Sequence, residues 1–155
     1  MDVTLYEVLL FAHLTVVAVW VGGDAMLQFV YLRARREGPE RTLGFLADVE
    51  WIGTRVLIPA SLAVVGFGVW LVLNSPAWDF SQTWVTLGFV MFLASAITGA
   101  GFLGPESGRV SRLGGKRGAE DSEVQSRISR ALWISRIELI LLIAVIFDMV
   151  VKPGL

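Results

Sequence analysis

The sequence contains no cysteine and a single histidine, His13. The first absence excludes disulfides, thiolate metal sites, iron–sulfur clusters and cysteine nucleophiles. The second leaves no histidine cluster for a metal, and the four methionines are scattered along the chain. Charge is scarce too. Of the 155 residues, 17% are charged and 55% hydrophobic, with a mean hydropathy of +0.67. A soluble domain of this size needs more polar surface. The formal net charge of -1 gives no reason to expect nucleic acid as a partner. No phosphate loop, zinc motif or catalytic triad occurs. The N-terminal flank carries Asp2 and Glu7 where a secretory signal would carry lysine or arginine, so it does not read as one.

What the chain does have is four long apolar runs, at about residues 5–32, 52–73, 80–103 and 131–151. Each is long enough to cross a hydrocarbon core, which takes roughly 20 helical residues. Thr4-x-x-Glu7 and Ser122-x-x-Gln125 read as capping boxes opening the first and last helices. Pro59 predicts a kink in the second run, and Gly104-Pro105 an end to the third. Residues 37–51 fit either an interfacial helix or an extension of the second run. The stretch 106–121 is rich in Gly, Arg and Lys and reads as a mobile loop. Arginine and lysine concentrate in the first and third connections and are missing from the second. The positive-inside rule then puts both termini outside. The expected fold is an all-α integral membrane bundle of four helices in a bacterial plasma membrane, with the lipid bilayer as its first partner. Ser95-xxx-Gly99, a small-residue pair that admits a close helix, suggests a homo-oligomer.

Polar residues inside the runs are the candidate functional groups. On the first helix Tyr6, His13, Val17, Trp20, Asp24, Gln28 and Tyr31 fall close to one face at 100° per residue. Asp24, Arg55, Arg136 and Glu138 reach similar depth from the basic end of their helices. Charges in hydrocarbon pair or line a wet cavity, so Asp24–Arg55 is the expected ion pair. Arg136 and Glu138, two residues apart, face different ways. The plain structural reading is that both arginines snorkel to headgroups. His13 lies in the other half of the membrane. It reads as a helix–helix hydrogen bond to Asn74, Asp148 or a serine, or as an axial haem ligand or proton-handling group. Trp20 falls mid-membrane, away from the boundaries where Trp51, Trp78, Trp84 and Trp133 sit, and should face the bundle.

Several motifs together carry a resemblance. They are His13-x6-Trp20-x-Gly22-Gly23, Glu50-Trp51-Ile-Gly53-Thr-Arg55, Trp84, Leu103-Gly104-Pro105 and Met149-Val-Val-Lys152-Pro153-Gly154. Over its whole length the chain resembles a family of uncharacterised bacterial integral membrane proteins, a domain of unknown function. The first helix also resembles that of the HemJ-type protoporphyrinogen oxidases, where the corresponding histidine is implicated in haem binding. Gln28-Phe29 stands where that family has a Pro–Arg pair, and the third run lacks its lysine. Copper-resistance membrane domains have a similar first helix. The oxidase resemblance implies a haem b or porphyrin site with His13 and Trp20 as cofactor-binding residues and Asp24 beside them. The residues themselves leave two other readings: a proton, ion or small-molecule conduit built on Asp24, Arg55 and Glu138, and an accessory subunit without chemistry of its own.

Overall fold

A computed structural model describes residues 4–154. Among the described residues all regular structure is helical: α1 (Leu5–Glu37), α2 (Pro39–Ile52), α3 (Ile58–Leu73), α4 (Thr83–Ala96), α5 (Gly104–Arg117) and α6 (Ser122–Val151). A π-helical segment, Gly53–Leu57, joins α2 to α3, and a second, Ile97–Leu103, joins α4 to α5. Three continuous helices are therefore long and apolar enough to cross a membrane: Leu5–Glu37, Pro39–Leu73 and Thr83–Arg117. The 30-residue α6 is also apolar toward its end, but that stretch contains Arg136, Glu138 and Asp148.

At 1.5 Å per residue the 33 residues of α1 span about 50 Å, well beyond a hydrocarbon core of about 30 Å. The excess, with α2, α5 and the start of α6, forms a helical cap at the basic end. Its core contains Tyr31, Ala34, Leu43, Phe45, Leu46, Val110, Val124 and Ile128. Of residues 37–51, Glu37 ends α1 and Pro39 onward extends the second long helix, and 106–121 is mostly helix rather than a mobile loop. Glycines make that cap possible. A Cβ on Gly108 would collide with the Glu50 carboxylate, and one on Gly114 with Leu43, so α5 lies directly on α2. In sequence the same glycines look like loop composition.

Both π segments stop two residues before a proline, Pro59 and Pro105. A proline has no N–H to donate and crowds the carbonyl four residues earlier. A widened turn at that point absorbs both effects. Pro105 accordingly does not end its helix. The Thr4–Glu7 capping box is formed. The second helix start differs from expectation. Asp121 is the cap, accepting from the amides of Glu123 and Val124, while Gln125 Nε2 donates to the Ala119 carbonyl. In the connection between α3 and α4, hydrogen bonds from the Ser81 hydroxyl and amide hold the Asp79 carboxyl below its ordinary value.

The outside of the bundle is apolar, with Phe11, Phe29, Val90, Ile140, Phe147 and Val150 exposed. The stripe on α1 faces inward: Trp20, Asp24 and Tyr31 are buried, and His13, Val17 and Gln28 are partly so.

Candidate functional site

A cavity of about 370 Å³ opens between the four long helices on the basic side of their midpoint. Each helix contributes a polar group. From α1 come Asp24 and Gln28, from the second helix Thr54 and Ser61, from the third Ser95 and Ser107, and from α6 Ser135 and Glu138. Asp24 is 8% exposed and Glu138 6%. The Ser95 hydroxyl donates to Glu138 Oε1 at 3.0 Å. One turn on, a Cβ at Gly99 would lie 2.8 Å from that same oxygen. The small pair Ser95–Gly99 thus receives a carboxylate from α6, and this face is occupied within the chain instead of being offered to a second copy. Gln28 Nε2 donates to Ser135 Oγ, tying α1 to α6. Asp24 Oδ2 is buried without a hydrogen-bond partner.

The expected Asp24–Arg55 ion pair does not form. Arg55 is exposed on the first π segment, whose Gly53, Thr54 and Leu57 face the cavity instead. Arg136 is exposed as well, with its guanidinium 6.0 Å from the Trp133 ring centre. Both arginines thus point away from the bundle interior. Among the described residues no ion pair involves Asp24 or Glu138. The basic groups that do line the cavity are at its mouth. Arg112 Nη1 lies 3.3 Å from Glu50, and Arg109 Nη1 3.7 Å from Glu106. Arg127 also reaches Glu106, at 3.0 Å. Neither Glu50 nor Glu106 stands out in the sequence as a site residue. For Glu50 the signal is its contact with Gly108, which needs the packing of α5 on α2 to be read, and for Glu106 it is the pairing with Arg109 and Arg127.

An apolar layer lies beyond the carboxylates, on the side away from the cap. Trp20 meets Phe92 edge-on, with ring centres 5.4 Å apart. Val64 and Leu142 complete the layer. Sequence order in all four helices fixes its place: Trp20 precedes Asp24, Val64 follows Ser61, Phe92 precedes Ser95 and Leu142 follows Glu138. His13 lies beyond this layer and does not line the cavity. It rests against α3, where a Cβ on Gly68 would be 3.4 Å from its Cε1. Its Nδ1 is buried with no partner, so the hydrogen bond expected from Asn74, Asp148 or a serine is not made. Met26 is 60% exposed on the outer surface of α1, and Met149 packs on Gly88. Among the described residues no group of three His, Asp or Glu side chains could hold a metal ion.

The family described as predicted integral membrane protein (DUF2269) matches residues 7–153. The chain belongs to this DUF2269 family. The match runs from the first turn of α1 to the end of α6, so the cavity, the apolar layer and the helical cap all lie within the family's own extent. The family description gives an integral membrane protein and no activity. No curated protein and no solved structure matches the chain. Any reading of this DUF2269 member's function therefore rests on the chemistry of its own side chains.

Proposed function

We propose that the protein is a conduit for a small monovalent cation, a proton or a protonated amine, with the cavity as its binding chamber. One observation carries this reading: Asp24 and Glu138, each more than nine-tenths buried, face one cavity inside an apolar bundle without a basic partner. An ionised carboxylate there costs several kcal/mol unless a counter-charge, a proton or water compensates it. A cation entering from the mouth supplies that compensation. The cavity is roomy and polar enough to hold water, which an apolar void is not. The Trp20–Phe92 layer is the barrier that must open for passage.

In this reading α6 is the fourth membrane span, since Glu138 and Asp148 face inward while Ile140, Ile143 and Phe147 face out. The basic cap sits in the cytosol of a bacterial cell and both termini lie outside the plasma membrane, following the arginine distribution. The cavity then opens to the cytosol. A haem at His13 is the less supported reading, because that residue stands outside the cavity.

Reconstitution into liposomes tests the proposal. Uptake of radiolabelled methylammonium and proton flux reported by a trapped dye are each measured for wild type and for Asp24→Asn/Glu138→Gln. At least one flux should exceed that of empty liposomes and fall at least tenfold in the double variant. Equal fluxes in wild type and variant would remove the proposal.

A further inference from the structure

Beyond the apolar layer, at the end of the molecule away from the cap, lies a second polar cluster that the cavity does not include. Asp148 is 3% exposed, and neither carboxylate oxygen has a partner. It lies against Gly88, where a Cβ would be 3.3 Å from its Oδ2. Trp84, one turn before Gly88, is 7% exposed, and its indole nitrogen is likewise buried without a partner. Trp78 stands at right angles to Trp84, ring centres 5.2 Å apart and planes at 87°. Its own indole nitrogen donates to Tyr6 Oη at 3.0 Å, which fixes the ring. Lys152 Nζ sits 4.0 Å from the centre of Trp78 and 5.4 Å from that of Trp84. The backbone places it there. Lys152 caps α6 in the left-handed conformation (φ 50), with its amide bonded to the Asp148 carbonyl.

Two indole faces beside a buried, unpartnered carboxylate attract cations and repel anions. We propose that Trp78, Trp84 and Asp148 form a second binding site for a primary ammonium, and that Lys152 fills it as a tethered internal ligand. The chain's own ammonium holds the aromatic half of the site while Asp148 stays without a counter-charge. An incoming alkylammonium displaces Lys152 and gains both halves. The site stands independently of the cavity, from which the Trp20, Val64, Phe92 and Leu142 layer separates it.

The test uses n-butylammonium as the probe, with full-length protein in mild detergent. Titration calorimetry is done in the Asp24→Asn/Glu138→Gln background, so that cavity binding does not contribute. Adding Lys152→Gln should tighten butylammonium binding at least tenfold, and adding Asp148→Asn to that variant should abolish it. Equal binding with and without Lys152, or binding that survives Asp148→Asn, would overturn the proposal. A second measurement needs no substitution. Lys116, exposed on the cap, is the only other lysine and serves as internal reference. Butylammonium should raise the acylation rate of Lys152 relative to Lys116 at least threefold in wild type. An unchanged ratio would overturn the proposal even if the Lys152 variants failed to fold.

Discussion

At the scale of single residues, the cavity depends on side chains that are small where Glu138 is large. Ser95 supplies one hydrogen bond to it, and Gly99 supplies room. Replacing Ser95 by alanine leaves one carboxylate oxygen without its donor. The expected loss is about 1–3 kcal/mol, the range for a hydrogen bond to a charged or buried group, measured as a lowered midpoint of unfolding in detergent. Gly99→Val should do something different. Its branched side chain occupies the position of Glu138 Oε1, so the carboxylate must move, and methylammonium or proton flux should fall even where the protein remains folded. A Gly99→Val protein with wild-type flux would show that Glu138 does not need its present position. Single residues were also where the sequence misled most. Asp24 and Glu138 stood out because a carboxylate in an apolar run is rare. Their partners did not follow from depth alone. Depth placed Arg55 and Arg136 beside them, but the π turn and helix rotation set which way a side chain points, and both arginines face out.

At the scale of elements, the three helices long and apolar enough to cross a membrane were legible because a long apolar run has few alternatives. The start of α1 was legible too, since Thr4 and Glu7 satisfy each other's neighbouring donors. The cap was not. Its helices are held by contacts between segments far apart in sequence: Gly114 on Leu43, Gly108 on Glu50, Arg127 on Glu106. Composition alone reads glycine and arginine in such a density as loop. Two substitutions test the packing. Gly114→Val should wedge α5 off α2 at Leu43 and cost about 1–3 kcal/mol, as overpacking does. Arg127→Ala leaves Glu106, only 3% exposed, with the longer contact to Arg109. Removing one partner from a buried pair is costly because the other charge stays buried. With Arg109 still present, the expected loss is on the order of 2 kcal/mol. Thermal unfolding in detergent reads both. A wild-type midpoint for Gly114→Val would mean that α5 does not pack on α2 as described, and one for Arg127→Ala that the Glu106–Arg127 pair does not tie α5 to α6. The Ser122-x-x-Gln125 pattern is a smaller lesson. Asp121, one residue earlier, is the better acceptor for the free amides and takes the cap.

At the scale of the whole molecule, the bundle has a polar chamber on one side of an apolar layer and an aromatic, acidic cluster on the other. Topology is testable without background because the chain has no cysteine. Single cysteines at Ser75 and Gly115, both in the full-length protein, should react with a membrane-impermeant maleimide from opposite sides of intact cells. Ser75 should label from outside and Gly115 only after lysis. Labelling of both from outside would contradict four spans with a cytosolic cap. Trp20→Ala should thin the layer where Trp20 meets Phe92 and raise the leak of protons through reconstituted protein at least tenfold. An unchanged leak would mean that the layer is not the barrier.

The most direct measurement is the flux of methylammonium and protons into liposomes containing wild-type protein or the Asp24→Asn/Glu138→Gln variant. The two side chains keep their shape in the variant and lose the charge that a cation would neutralise. Transport through this chamber predicts a protein-dependent flux of at least one of these ions that collapses when both carboxylates become amides. A flux the variant sustains at the wild-type rate, or wild-type liposomes no more permeable than empty ones, would contradict it.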